Sequence, residues 1–362
     1  MFLYQEVTAF FMIKEHIRQL VDGHNLSYDD AYNLMKEIMS GEASEAQISA
    51  VLTALRMKGE TPVEISAFAT VLRRFCHQIQ PKVYGRLVDT CGTGGDSLKT
   101  FNISTASALV ASGAGVYVAK HGNRSFTGKC GSADVLENLG VKISLEPSRV
   151  EEIIEKVGIG FMYAPSFHPA MRHAVEPRKQ LGIRTVFNVL GPLSNPASAR
   201  AQLLGVYDRE LTEPLAEALR LLGCEEAMVV HGLGGLDEIS TIGETAVSWL
   251  REGEVTNLVL SPDDFGVRVS SYDRIRGSTP DVCGDILFRL LNGLDDASRT
   301  EIVLANSSAG IIVAGLTDEF SHAMELAKES IETGSAYSKL RSLVKETGGD
   351  MKKLEELEAK YG

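Results

Sequence analysis

Residues 89–134 read DTCGTGGDSLKTFNISTASALVASGAGVYVAKHGNRSFTGKCGSAD. The stretch holds two glycine-punctuated turns, GTGGD at 92–96 and KHGNR at 120–124. Between them lies the hydroxyl-rich run Asn102, Ile103, Ser104, Thr105. Residues before each turn predict strands at 86–90 and 116–119, and the runs STASALVASGAG and ADVLENLG predict the helices that follow. Strand, turn and helix, repeated, make a largely parallel α/β sheet, whose ligands gather at the carboxyl ends of the strands. From Ser97 to Ala133 there is no Asp or Glu, where the average acid content would place roughly five. The same window carries Lys99, Lys120, Arg124 and Lys129. Backbone amides at glycine turns, hydroxyls and cationic side chains together describe a pocket for a phosphorylated small molecule.

Toward the C-terminus the alternation continues, with strands predicted at 159–163, 184–189, 202–206 and 226–230. Past Gly235, EISTIGETAVSWLREGEVTNLVL reads as antiparallel strands around a turn at Glu252 and Gly253. The remainder reads as helices, ending in the charged tail MKKLEELEAKYG. Toward the N-terminus the texture is helical from Met12 to about Gln80. Ser27 opens LSYDDAYNLMKEIMSG, with Leu34, Met35, Ile38 and Met39 at helical spacing and Gly41 to stop it. Ser44 with Gln47 forms a capping box; Thr61, Pro62 and Glu64 form a second, with proline at the first helical position. These signals predict an α/β fold in two parts. A small helical bundle over 12–80, joined by about 168–185, serves as scaffold or dimer surface, and 81–362 form a larger α/β domain with a mostly parallel central sheet.

Composition narrows the function. A net charge of −12 and a pI near 5.2 argue against a broad nucleic-acid or anionic-membrane surface. No apolar run approaches the length of a membrane span. Cys76, Cys91, Cys130, Cys224 and Cys283 are scattered and odd in number, with no CxxC pair. That argues against a disulfide framework or a structural zinc site and predicts a reducing cytoplasm. Residues 1–11 carry Glu6 and lack the basic start of a signal peptide. Because the helical pattern begins at Met12, they read as an appendage or an upstream start.

Taken singly, the motifs stay ambiguous. GTGGD lacks the Lys-Ser/Thr of a Walker loop and is not GxGxxG, so alone it reads as a plain connection or as a ligand turn. Gly92, Gly94 and Gly95 would let a ligand oxygen reach the main chain, and Asn102, Ser104 and Thr105 open a helix whose amides point at an anion. KHGNR is more telling, because so many polar residues at one strand end cannot all be core. Lys120 suits a phosphate as a point charge, whereas His121 and Asn123 offer directional bonds to a smaller group. Asp237 and Glu238 alone read as solvated surface or, on a flexible turn after His231, as a magnesium pair reaching a diphosphate. Arg178 alone reads as a solvent arginine or as a planar partner for a carboxylate.

GTGGD, NISTAS, KHGNR and GSAD at these spacings resemble the anthranilate phosphoribosyltransferase family. So do HPAMRHAV from His168, RKQLGIRTVFNVLGPLSNPA from Arg178 and GLDEIS from Gly235. The resemblance runs from Met12 over nearly the whole chain. It implies a fold of the nucleoside phosphorylase/phosphoribosyltransferase type, a homodimer, and transfer of the phosphoribosyl group of phosphoribosyl pyrophosphate (PRPP) to the amine of anthranilate in tryptophan biosynthesis. PRPP would meet Gly92, Gly94, Gly95, Asp96, Thr100, Asn102, Ser104, Thr105, Lys120 and Ser132. Anthranilate would meet Gly92, His121, Asn123, His168 and Arg178, the last at its carboxylate. Ser104, Asp237 and Glu238 would hold Mg2+. No general base is implied; His121 and Lys120 position the reactants. Anthranilate synthase is an implied candidate partner, and neither nucleic acid nor membrane is.

Departures from the family pattern fall at SLK after GTGGD, at Thr127 and Cys130 where serines are common, and at NSSAGIIVAG, expected to alter packing more than chemistry. Pro177 immediately precedes Arg178, so the helix carrying Arg178 is expected to kink or begin there. Two other readings compete. A pyrimidine-nucleoside phosphorylase would share the architecture and release base from thymidine or uridine with phosphate. A non-catalytic binder would use the cationic window for a phosphorylated ligand or nucleic acid.

Overall fold

The computed structural model describes residues 13–95, 98–125 and 129–361. The expectation for residues 1–11 therefore lies outside the described residues, as do those for Asp96 and Thr127. The N-terminal helices are α1 (residues 13–21), α2 (Tyr28–Ser40), α3 (Glu45–Lys58) and α4 (Pro62–Phe75). Their punctuation is as expected. Ser27 accepts the Asp30 amide, both capping boxes form, and Gly41 closes α2 with φ 78°. Leu34, Met35, Ile38 and Met39 are buried in the bundle core.

The α/β part begins with β1 (Leu87–Gly92), α5 (Ile103–Gly113), β2 (Tyr117–Gly122), α6 (Ser132–Asn138), α7 (Pro147–Val157) and β3 (Ile159–Tyr163). It continues through α8 (Ala164–Phe167), α9 (Arg172–Leu181), α10 (Phe187–Leu193), β4 (Ala201–Gly205), α11 (Thr212–Leu221) and β5 (Glu226–Gly232). The hairpin β6 (Thr245–Arg251) and β7 (Glu254–Leu260) follows, turning through Glu252 and Gly253 at positive φ. The last helices are α12 (Tyr272–Ile275), α13 (Pro280–Leu291), α14 (Ala297–Val313), α15 (Phe320–Glu332), α16 (Ser335–Glu346) and α17 (Met351–Tyr361).

The strand expected at 184–189 is instead a bend followed by α10. β-branched and aromatic residues suggested a strand, but Asn188 Oδ1 accepts the Thr185 amide at 2.9 Å and starts a helix. Phe187, Val189 and Leu190 are then buried in the bundle core, so packing overrides local preference. Pro177 likewise does not start a helix; α9 begins at Arg172 and runs through it.

The sheet has the order β3-β2-β1-β4-β5-β6-β7, with β1 to β5 parallel and the last two strands antiparallel. Chain direction across the sheet reverses between β1 and β4, which is where open α/β sheets hold ligands. Strand periodicity separates two faces. Val88, Val118, Phe161, Leu203 and Met228 pack into one core with α5, α13, α14 and α16. On the opposite face Cys91, Leu204 and Val229 join the core of the N-terminal helices, together with Ala174 of α9 and Phe187 and Leu190 of α10. At its β3 end that opposite face packs Ala119 and Met162 against α7 and Phe167 of α8.

Candidate active site

Strand β2 divides the site. Its side chains alternate, so Lys120 follows Val118 onto the α5 face and His121 follows Ala119 onto the opposite face. The Lys120 ammonium is buried and donates to the Thr90 carbonyl and, at 3.3 Å, to Ser104 Oγ. Burial pushes its proton affinity down, and the neighbouring Asp89 carboxylate opposes that.

The carboxyl end of β1 lies against the acidic pair. Gly92 has no room for a side chain, since a Cβ there would stand 2.5 Å from Asp237 Oδ2. Gly94, at φ 66°, donates its amide to Asp237 Oδ2 at 2.9 Å, and the Ser104 amide in the first turn of α5 donates to Glu238 Oε1 at 3.0 Å. The amides expected to receive an anion therefore do so, from the protein's own carboxylates. The pair was expected on a flexible turn; Asp237 and Glu238 are instead 9% and 8% exposed. Behind them Asn306 of α14 accepts the Ile239 amide at 2.9 Å and donates to the Ile239 carbonyl at 2.9 Å, which fixes the segment.

Asn102 stands at the position before α5, its side chain turned from the helix amides to Cys130: Nδ2 donates to the Cys130 carbonyl at 3.2 Å and Oδ1 accepts from Cys130 Sγ at 3.3 Å. Ser132 opens α6 and donates to the Asn123 carbonyl at 3.3 Å. Thr100 bridges to Arg276 at the rim. Thr105 lies deeper, 1% exposed, so its hydroxyl is not on the pocket surface.

On the opposite face the His121 and His168 rings lie 5.0 Å apart between centroids. His121 Nδ1 bonds the Gly191 carbonyl at 3.2 Å. The Nε2 atoms of both rings are buried without a hydrogen-bond partner among the described residues. Burial drives their pKa values down, His121 to about 3 and His168 to about 4, so both rings are neutral at physiological pH. The Arg178 guanidinium stands 5.2 Å over the Phe187 ring and has no carboxylate partner among the described residues. Phe187 and Gly191 are one turn apart on α10, so a single helix carries the platform under Arg178 and the carbonyl that orients His121. A Cβ at Gly191 would meet open space. Asn123 is exposed at the rim, its side chain accepting the Arg124 amide at 2.8 Å.

Two models of the glycosyl transferase family match the chain: the helical bundle domain over residues 14–76 and the a/b domain over 84–337. Anthranilate phosphoribosyltransferase of Methanocorpusculum labreanum is 51% identical over 93% of this chain and 99% of its own length. The chain belongs to the anthranilate phosphoribosyltransferase family. The crystal structure of the Thermus thermophilus anthranilate phosphoribosyltransferase superposes with a TM-score of 0.87 at 39% identity, covering 92% of this chain and 99% of that one. The Saccharomyces cerevisiae anthranilate phosphoribosyltransferase in complex with PRPP and Mg gives 0.85 at 29% identity, covering 93% and 98%.

For an anthranilate phosphoribosyltransferase of this sequence, the residues that reading by motif missed are those that support the motifs. Asp89 is fully buried on the His121 face of β1. It accepts the His121 amide at 3.2 Å and Asn195 Nδ2 at 2.7 Å, while Asn195 also donates to the Ala119 carbonyl at 2.9 Å. Burial raises the Asp89 pKa to about 6, against the pull of Lys120. Arg184 donates to the Gly95 carbonyl at 2.8 Å and lies 4.0 Å over the Tyr207 ring, tying the bend before α10 to the glycine turn. The signals available were an acid inside the first strand run and a second arginine six residues after Arg178; neither names a role.

Proposed function

We propose that this chain transfers the phosphoribosyl group of PRPP to the amine of anthranilate, giving N-(5-phosphoribosyl)anthranilate and pyrophosphate in tryptophan biosynthesis. The observation that carries the reading is the division at β2, with a buried ammonium and helix-end amides on one face and, on the other, two neutral imidazoles and a guanidinium without a carboxylate partner among the described residues. PRPP meets Gly92, Gly94 and Gly95, with Thr100, Asn102, Ser104, Lys120 and Ser132 beside them and Asp96 assigned to the same set by the family motif; the buried Thr105 hydroxyl is left out of it. Anthranilate lies toward His121, His168, Asn123 and Arg178, its carboxylate matched to the planar guanidinium. The yeast relative's complex with PRPP and Mg supports the donor assignment.

Asp237, Glu238 and Ser104 offer only oxygen donors. Among the described residues no group of three or more His, Cys, Asp or Glu is placed to hold a metal. Two carboxylates suit Mg2+, which keeps waters and substrate phosphates as its other ligands. Bound there, Mg2+ would offset charge on the departing diphosphate. The same carboxylates already hold the Gly94 and Ser104 amides, so substrate entry redistributes those donors between the acidic pair and the diphosphate.

In the reaction the C1–O bond to diphosphate breaks while positive charge builds on the ribose ring, and the anthranilate nitrogen forms the new bond to C1. Backbone amides of the glycine turn and α5, with Lys120, face the leaving group. The aromatic amine is neutral and nucleophilic at pH 7, so positioning replaces deprotonation. Neutral His121 and His168 suit that role, since a cation beside a developing cation would raise the barrier.

Residues 12–80 joined by 168–185 form the small domain in this reading, and 81–362 the large one. Packing of Ala174 in the bundle core, with Ala170, Met171 and Leu181 against it, supports the junction. The reading includes a cytoplasmic homodimer, with anthranilate synthase as a candidate partner. Anthranilate fluorescence consumed only when PRPP and Mg2+ are both present is the expected assay result; no consumption under any metal condition would remove the proposal.

A further inference from the structure

Arg178 and Arg184 stand six residues apart on one segment, separated by Gly182, whose φ of 63° closes α9. Each guanidinium lies over an aromatic ring, Arg178 at 5.2 Å over Phe187 and Arg184 at 4.0 Å over Tyr207. Neither has a carboxylate partner among the described residues. They aim in different directions. Arg178 serves the acceptor in the function proposed above, whereas Arg184 Nη2 donates to the Gly95 carbonyl, in the glycine turn, at 2.8 Å.

A turn that receives a diphosphate works by presenting N–H groups, and a carbonyl beside them brings negative charge of its own. A guanidinium on that carbonyl offsets the charge and fixes which way the oxygen points. The fit is close: Gly95 has φ 77°, and a Cβ there would stand 3.3 Å from Arg184 Nη2. The ring beneath Arg184 belongs to the same frame. Tyr207 packs against the core of the N-terminal helices, and its amide donates to Thr93 Oγ1 at 3.1 Å. The Thr93 amide donates in turn to the Gly205 carbonyl at the end of β4, at 2.9 Å. Thr93 thus ties the start of the turn to the segment after β4, and Arg184 ties Gly95 to the ring on that segment. Immediately after Arg184, the Thr185 amide bonds Asn188 Oδ1 and opens α10. Arg184 itself is exposed and supports little core.

We propose that Arg184 is a positioning residue for PRPP: stacked on Tyr207, it holds the Gly95 carbonyl out of the path of the diphosphate and keeps the glycine turn shaped to receive that group. The effect on PRPP rests on the function proposed above; the hold on the turn does not. Two arginines of one segment then serve two substrates, Arg178 by meeting a carboxylate and Arg184 by arranging main chain. Lysine would keep the charge but lose the planar fork that stacks and donates at once.

The test compares the full chain with Arg184→Ala and Arg184→Lys. Without substrate, the Gly94 amide, which bonds Asp237 in the free chain, should exchange its hydrogen about three- to tenfold faster in the alanine variant. In steady-state assays the KM for PRPP should rise about tenfold, the fold-change of one charge-assisted hydrogen bond. The KM for anthranilate and the thermal midpoint should stay as in wild type, and lysine should recover only part of the loss. Unchanged exchange at Gly94 overturns the proposal, as does an equal rise in both KM values or full rescue by lysine. Wild-type protein that does not use PRPP would instead break the functional reading, with the hold on the turn still judged by hydrogen exchange.

Discussion

Lys120 and His121 are consecutive and both buried, yet burial has opposite uses on the two faces of β2. On the α5 face the ammonium keeps company with hydroxyls, helix-end amides and, across the strand, Asp89. Desolvation there lowers the proton affinity of Lys120, and the Asp89 carboxylate opposes it. On the other face desolvation removes charge altogether: His121 and His168 stay neutral, and the cation present is Arg178, stacked on Phe187. A donor carrying dense negative charge and an acceptor carrying one carboxylate need these different surroundings. A sheet supplies both from adjacent residues because its side chains alternate.

The comparison can be broken in order of effect. Asp237→Asn with Glu238→Gln should lower turnover about 10²- to 10³-fold, the usual cost of losing electrostatic stabilisation of a leaving group. Because both side chains are buried and hold backbone amides, thermal stability should fall as well, by about 1–2 kcal/mol as for a lost helix cap. An effect confined to the KM for anthranilate would reverse the assignment of faces. Arg178→Ala should raise the KM for anthranilate about ten- to a hundredfold, as for a charge-assisted hydrogen bond, with the KM for PRPP unchanged; a shift in PRPP instead would place Arg178 on the donor side.

Asn195→Ala sharpens the contrast by acting on both faces, since it leaves the buried Asp89 carboxylate short of a donor. Stability should drop by about 1–3 kcal/mol, and both KM values should move together in steady-state assays. The smallest effect is one of pH. Unfolded histidine takes a proton near 6.5, whereas folded His121 and His168 do so only at about 3 and about 4. The unfolded chain therefore binds more protons in that window, and these rings lower stability as pH falls through it. Asp89, raised to about 6, acts in the other sense, its contribution falling as pH rises through about 4 to 6. Imidazole NMR resonances should show both rings neutral at pH 5; titration near 6.5 would refute the buried, neutral pair.

Much of this was legible in the sequence where information is local. Capping boxes at Ser44 and Thr61, the Glu252-Gly253 turn and KHGNR at a strand end each need only neighbours in the chain. The misread strand at 184–189 shows the limit, because β-branched residues there answer to the bundle core and not to a sheet. The acidic pair was read as a flexible turn because its clamp, Asn306, comes from α14, 67 residues away from Ile239. Asp89 and Asn195 meet across 106 residues. Arg184 gains meaning only from Gly95 and Tyr207. Motif residues could be named early; the side chains that aim them became visible only when the fold brought distant segments together.

A crystal structure with PRPP, Mg2+ and anthranilate bound together tests the division at β2 most directly. The diphosphate should lie against Gly92, Gly94 and the first turn of α5 on the Lys120 face, with the anthranilate carboxylate at Arg178 and its ring beside His121 and His168. Anthranilate on the α5 face, or diphosphate at Arg178, would contradict it.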